Sequence, residues 1–353
     1  MTIDKREHVA VLDLSCVSSV TLGEQEESFE EEDKQILYGR TREVNQLHQA
    51  FDRLCSTGKA QLVMIHGEAG SGKTGLAETL RSNVLKKGGY FVTGCSWFSR
   101  QHHEQDSAIA AALSDLCEVM VQSSDFNERR AGIQDSLDSR EGKLLFRAIT
   151  SCAPFLRDDS NYSDSIVSLE EEVLPFQAAC KTFLHALSSG DHPIVMFLDD
   201  VHWMDRGSME LLRLLLQDGD LRHVLIILTF RTEESKRLSL LLQNTFVRLE
   251  SVDIVLPDLT VDHVYELLLD IMDCSPTPQI RRFSEVMAAK THGNPRNIAK
   301  FIERLARSGL LRFDKRTMSW VYDVERIQKE EQAFAMSALH RKRKINCFAG
   351  LAA

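Results

Sequence analysis

Hydrophobic periodicity along the chain begins near Ile36. In LYGRTREVNQLHQAFDRLC, Val44, Leu47, Phe51 and Leu54 recur at helical spacing, with Thr41 placed to cap the helix and Glu43 in its first turn. QLVMIH (61–66) is then a short unbroken apolar run, which suits a strand buried on both faces of a parallel sheet. TGLAETLRSNVLKKGG predicts one continuous helix with Leu76, Ala77, Leu80 and Val84 on one face and Gly88-Gly89 as its stop, and YFVTG predicts a second strand. Residues about 105–190 read as mostly helical: SAIAAALSDLCEVMVQ, REGKLLFRAI and EEVLPFQAACKTFLHALSS, with a polar break near SSDFNERR and a loop at DDSNYSDS. IVMFLDD after Pro193, VLIILTFR (224–231) and VDIVL (252–256) supply further strands, with GSMELLRLLLQDG as a helix among them. Strands alternating with helices predict an α/β fold, a five-stranded parallel sheet covered on both faces.

After Pro257 the pattern changes to helices alone: TVDHVYELLLDIM, PQIRRFSEVMAAK and PRNIAKFIERLARSG, the last two with proline at the first helical position. LLRFDKRTMSWVY predicts a hairpin and VERIQKEEQAFAM a final helix. No repeat of fixed 20–50 residue period is present, which argues against a solenoid.

Composition refines this picture at the ends. Of the net charge of −10 over 353 residues, residues 1–36 hold ten acids and three bases, so the rest of the chain is close to neutral. GEQEESFEEEDK has little to bury and reads as an acidic disordered leader. Wholesale attraction to nucleic acid or anionic lipid is therefore not expected, although a local basic site such as Arg341, Lys342, Arg343 and Lys344 is left open as a nucleic-acid contact, a nuclear address or a solvated end. No apolar run approaches the about 20 residues that span a bilayer, and charges break up the N-terminus, so neither membrane insertion nor secretion is expected. The expected location is the cytoplasm, with the nucleus left open. Eight scattered cysteines without a CxxC pair support neither a zinc ribbon nor a disulfide framework. His102, His103, Glu104 and Asp106 cluster in sequence, but at no recognised metal spacing, and read as a polar loop.

The sharpest chemistry lies at Gly67, Glu68, Ala69, Gly70, Ser71, Gly72, Lys73 and Thr74. This is a full GxxxxGK[ST] placed directly between a predicted strand and a predicted helix. Glycines allow backbone N–H groups to turn inward around phosphates, Lys73 can reach the β- and γ-phosphates, and the Thr74 hydroxyl can hold Mg²⁺. The spacing is not that of a dinucleotide fingerprint. At the end of IVMFLDD, Asp199 is the natural carboxylate on the metal side. Asp200 points elsewhere and is a candidate to orient or deprotonate water, or a helix cap. Two acids closing an apolar strand are costly to bury without a cation.

LYGR, GEAGSGKT, LDDVHWMD, the strand ending TFR, and GNP, taken in order over about residues 37–325, resemble the AAA+ ATPase module called origin-recognition-complex-like, found in STAND signal-transduction NTPases. The resemblance implies a P-loop NTPase of the ASCE type, with an extra strand between the P-loop and Walker B strands and a C-terminal all-helical lid. The implied layout is a leader at 1–36, an α/β ATPase domain at 37–257 with a helical elaboration at about 105–190, a lid at 258–309, and a hairpin, helix and tail at 310–353 that resemble at most a truncated winged helix.

It also implies roles. Gly39 and Arg40 match the N-terminal contact to the nucleotide base, or form a plain turn. Trp203 matches the aromatic after Walker B, or simply packs. Thr229 and Arg231 match a γ-phosphate sensor, or a strand-end cap and a surface charge. Asn294 and Pro295 start a helix, and the family's proline packs near adenine. Arg296 sits in a first helical turn, where the dipole disfavours a cation, and is either a second phosphate sensor or solvent-facing. STAND members carry a bulky apolar residue here and replication-type lids an Arg.

The expected function is an ATP·Mg²⁺-dependent regulatory switch that hydrolyses slowly with Lys73, Asp200 and Arg231, cycles between ATP and ADP, and acts on a protein effector or by self-association. The other classes are a replication-initiator-like ATPase acting on DNA, a nonhydrolysing nucleotide-binding scaffold, and a small-molecule kinase for which no acceptor site is evident. The chain is too short to hold a lid and also a large effector, which suggests a fragment, a stand-alone regulator, or a protein acting on a separate partner.

Overall fold

A computed structural model describes residues 9–10, 36–95, 108–123, 126–156, 173–188, 190–204, 206–234, 250–317 and 319–329. They divide into two compact units. One is Thr41–Ala69 with Lys73–Leu256; the other is Met1–Arg40, Gly70–Gly72 and Pro257–Ala353, as far as these are described.

The first unit is built on β1 (Gln61–Gly67), β2 (Tyr90–Cys95), β3 (Ile194–Asp199), β4 (Val224–Arg231) and β5 (Glu250–Leu256). All pairings are parallel, in the order β2-β3-β4-β1-β5. The apolar runs explain the order. Every residue of Ile194–Leu198 and Val224–Phe230 is buried, so β3 and β4 lie inside the sheet, whereas β5 alternates and takes an edge. Each such Ile, Val or Leu contributes about 1.5–3 kcal/mol of apolar burial.

The consequence for chemistry is the register. β4 lies between β1 and β3, and it sets Arg231 opposite Gly67 and Thr229 opposite Ile65. The extra strand expected between the P-loop and Walker B strands is β4.

Helix α1 (Thr41–Thr57) packs on β1 and β5 through Leu47, Ala50, Phe51 and Leu54. Thr41 is its first helical residue rather than its cap, and Val44 is half-buried. The single helix expected after the glycine loop is two, α2 (Lys73–Glu78) and α3 (Arg81–Lys86). At the break the Thr79 hydroxyl donates to the Leu76 carbonyl and the Leu80 amide to Ala77, a tighter turn that competes with the α-helical ladder.

In the helical elaboration, α4 (Ala108–Val121) lies on β2, and α6 (Ser139–Ala148) starts with a capping box from Asp138 and Glu141. Between them, the expected polar break is a helix, α5 (Phe126–Ser136). Ile133 is its only fully buried side chain, and Phe126 meets Phe155 edge-on at 5.2 Å. Two anchors are too few to register as periodicity. A 3₁₀ turn (Thr150–Phe155) and α7 (Val173–Leu187) complete this part, and α8 (Arg206–Gln217) follows β3. Cys117, Cys152 and Cys180 are buried free thiols here, each pushed up by that burial, Cys152 to about 12.

Asp218, just past α8, ties the elaboration to it. Its carboxylate accepts from His185 and from Lys181 at 3.2 Å, and from the Asp220 amide at 3.1 Å. Burial raises the Asp218 pKa, but these donors outweigh it and hold the group below the ordinary carboxylate value. The stabilisation is therefore complete above the unfolded aspartate pKa of about 3.9 and is lost as pH falls through the lower folded-state value. Asp218→Ala should cost about 2 kcal/mol at pH 7 in urea unfolding, with the deficit shrinking toward pH 2.

In the second unit, Ile36–Leu37 pairs in parallel with Val9–Ala10. Three helices follow, α9 (Val261–Ile271), α10 (Pro278–Thr291) and α11 (Pro295–Arg307), then an antiparallel hairpin of β6 (Leu311–Asp314) and β7 (Ser319–Tyr322) and a helical stretch at 324–329. Thr260, Thr277 and Asn294 cap the three helices, with Pro278 and Pro295 at the starts of α10 and α11 as expected. Ile298, Phe301, Ile302 and Leu305 of α11 pack with Val264, Ile280, Phe283 and Met287 into one core. The leader apart from Val9, Ala10 and Ile36, the His102–Asp106 cluster, the DDSNYSDS loop and the Arg341–Lys344 run lie outside the described residues.

Candidate functional site

Lys73 opens α2 immediately after the glycine loop and is only 7% exposed. Its ammonium donates to the Gly67 carbonyl at 3.1 Å and the Glu68 carbonyl at 2.9 Å. Burial lowers its pKa, and Arg231 lowers it further; the charges of Asp200 and Asp199 oppose this. Gly70 and Gly72 take φ of 84° and 98°, the left-handed region that glycine enters without strain. The Ser71 hydroxyl, in the middle of the loop, is buried with no hydrogen-bond partner among the described residues.

Asp199 ends β3. One carboxylate oxygen accepts from the Thr74 hydroxyl at 3.0 Å, the other from the Thr229 hydroxyl. Thr229 is fully buried and in turn accepts the Asp200 amide at 2.8 Å. One side chain of β4 thus fixes both acids of β3. Burial raises the Asp199 pKa, and the two hydroxyls only partly offset it. A desolvated carboxylate beside a hydroxyl is a set of hard oxygen donors, and it fits Mg²⁺. The orphaned Ser71 hydroxyl and the glycine loop around a desolvated ammonium fit a polyphosphate.

Asp200 leaves the strand with φ 51° and ψ 47°, a left-handed turn that Asp tolerates better than most residues. Its side chain is 39% exposed. The Arg231 guanidinium carbon lies 6.0 Å from the centre of the Trp203 ring, and Trp203 is 43% exposed. His202 lies against Trp203 with ring centres 5.0 Å apart.

Lys73, Thr74, Asp199, Asp200, Thr229 and Arg231 thus belong to the sheet unit, with Gly67, Glu68 and Ala69. Gly39, Arg40, Pro295 and Arg296 belong to the other, which also holds Gly70, Ser71 and Gly72. There the Arg296 amide donates to the Gly70 carbonyl at 3.2 Å, and a Cβ on Gly70 would stand 2.5 Å from the Arg296 Cβ. Arg40 is 2% exposed, and its guanidinium donates to the Pro257 carbonyl and to the Ser71 carbonyl at 3.4 Å. It braces the loop's backbone. Gly39 has φ 65°, and a Cβ there would fall 2.3 Å from the His263 ring.

Sequence reasoning did not find the buried Ser71 hydroxyl, the Arg40 brace, the Arg231–Trp203 contact or the lack of hydrogen bonds at the His202 ring. None has a local signal, because each depends on which side chains the fold brings near. Among the described residues no group of three or more His, Cys, Asp and Glu is placed to hold a metal ion on its own, and no helix is long and apolar enough to cross a membrane.

A glycine loop after β1, an acidic pair after β3 and a polar strand end on the intervening β4 define a P-loop NTPase of the AAA+ type. Residues 36–227 match the AAA ATPase domain model, and the chain belongs to that family of nucleotide-binding modules. It is 24% identical over 370 aligned positions to hybrid signal transduction histidine kinase G of Dictyostelium discoideum, an alignment covering 84% of this chain but 10% of that protein. The chain thus spans about a tenth of the length of that curated relative. Similar solved structures include Cdc6p from Pyrobaculum aerophilum, with 15% identity, TM-score 0.49 and coverage of 85% of this chain and 67% of that one. Another is the Walker-type ATPase of Pyrococcus abyssi, with 16% identity, TM-score 0.45 and coverage of 87% and 76%.

Proposed function

We propose that this chain is a nucleotide-operated regulatory switch that binds ATP with Mg²⁺ and hydrolyses it slowly. In this reading the loop amides and Lys73 hold the β- and γ-phosphates, and Thr74 and Asp199 hold Mg²⁺, which supplies charge neutralisation at the phosphates. Asp200 accepts a proton from the attacking water. The water oxygen bonds to the γ-phosphorus as the bond to the β–γ bridging oxygen breaks, and ADP and phosphate leave. Thr229 keeps Asp199 and Asp200 in register, and Arg231 leaves the Trp203 face for the γ-phosphate. Pro295 and Arg296 respond to the nucleotide from the lid, and Gly39 and Arg40 support the loop.

The observation that carries the switch is the membership of Gly70–Gly72 in the lid's own compact unit, through the Arg296–Gly70 and Arg40–Ser71 hydrogen bonds. In this reading a phosphate that reshapes the loop loads those two bonds, and the switch requires that ATP and ADP load them differently. The similarity to a stretch of a signal transduction histidine kinase supports a role in signal transduction; the STAND assignment and a protein effector or second copy as partner rest on the motif order alone.

Hydrogen exchange over 257–329 tests the switch. Exchange slows at least several-fold with a nonhydrolysable ATP analogue relative to ADP. Equal exchange in both nucleotides would leave a nucleotide-binding fold without a switch.

A further inference from the structure

His202 has no part in the mechanism above, yet it is the most unusual polar side chain near Asp200. Its side chain is 5% exposed, and among the described residues neither ring nitrogen has a hydrogen-bond partner. A buried imidazole normally satisfies at least one nitrogen, because orphaning it forfeits the hydration it had in the unfolded chain. Burial accordingly disfavours the charged ring and lowers its pKa, against the pull of Asp200. The nearest anionic atom is Asp200 Oδ1, 3.7 Å from Nδ1, about an ångström beyond hydrogen-bond length. The ring is in tilted contact with Trp203, at 39° and 5.0 Å between centres. The Asp200 backbone is pinned, with its amide on Thr229, so the remaining freedom is in the Asp200 side chain.

We propose that His202 is the positioning residue of Asp200: in the nucleotide-loaded protein its Nδ1–H donates to Asp200 Oδ1 and leaves Oδ2 for the attacking water. The inference rests on the reading of Asp200 as the base. The donor is a ring N–H held two residues along the chain, so it can orient the carboxylate from a fixed side. In this proposal a rotation of the Asp200 side chain closes the open 3.7 Å distance. The carboxylate then has one defined direction instead of a range of rotamers, and misplacement of a reacting group by about 1 Å is worth about a hundredfold in rate.

The test is steady-state ATP turnover and Mg·ATP affinity for wild type, His202→Ala, His202→Phe, His202→Asn, Asp200→Asn and the Asp200→Asn/His202→Phe double variant. His202→Phe keeps the ring against Trp203 if the alanine variant fails to fold, and His202→Asn places a donor near the position of Nδ1. The expected result is kcat lower by about 10- to 100-fold in His202→Phe with nucleotide affinity unchanged, recovery of most of that loss in His202→Asn, and no further loss in the double variant over Asp200→Asn. Wild-type kcat in His202→Phe, or equal losses in His202→Phe and His202→Asn, would overturn the role of His202 while an inactive Asp200→Asn leaves the base in place. Wild-type turnover by Asp200→Asn, or no turnover by wild type, would overturn the base reading and this inference with it.

Discussion

Lys73→Ala should weaken Mg·ATP binding by about a hundredfold or more while leaving the fold nearly as stable as wild type. The reasoning starts from the cost of Lys73 where it lies. Its ammonium is desolvated, its pKa is lowered, and its two contacts are the carbonyls of Gly67 and Glu68. Alanine removes those bonds, and it also removes a buried cation, so the two effects on stability oppose each other. Nothing offsets the effect on binding. A charged hydrogen bond to a buried anion contributes about 1.5–3 kcal/mol, and each 1.4 kcal/mol is a factor of about ten. With two phosphates to serve, a hundredfold is a lower bound. Calorimetric titration together with a thermal melt separates affinity from folding. A Lys73→Ala protein that binds as wild type does would remove Lys73 from the phosphate site.

Asp200→Asn is expected to act on the chemical step instead. Asparagine is nearly isosteric, tolerates the left-handed backbone at φ 51°, and keeps the Asp200 main-chain N–H that Thr229 accepts. The substitution removes the group that takes a proton, together with one of the negative charges that support the Lys73 cation. General-base catalysis is worth about 10²–10⁴-fold, so kcat falls by that factor while Mg·ATP affinity stays within about twofold. Asp199→Asn separates the two acids. It removes the carboxylate that Thr74 and Thr229 hold, and it lowers Mg²⁺-dependent affinity as well as rate. Phosphate release at saturating ATP, followed for both variants, checks the division of labour. Equal kcat in Asp200→Asn and wild type would contradict it.

The sheet was legible because unbroken apolar runs such as Ile194–Leu198 leave few alternatives to a buried strand, and the glycine loop between β1 and α2 marks its own place in the fold. The place of Asp199 at a strand end was legible too, because the apolar run stops there, whereas the left-handed turn at Asp200 has no sequence signal. What escaped was decided at a distance. The break after Glu78 turns on one threonine hydroxyl, and α5 is held by Ile133 and Phe126 with polar residues between. Arg40 reads as a nucleotide-base contact or a surface turn residue, and its bonds to the Ser71 and Pro257 carbonyls have no sequence signal. His202 shows its lack of hydrogen bonds only once the described residues around it are placed.

The most direct measurement of the central claim is calorimetric titration of ATP into the wild-type protein, with and without Mg²⁺. Saturable one-to-one binding that tightens with Mg²⁺ and weakens about a hundredfold or more in Lys73→Ala is the predicted result. Absence of ATP and ADP binding by the folded wild-type protein would contradict the account.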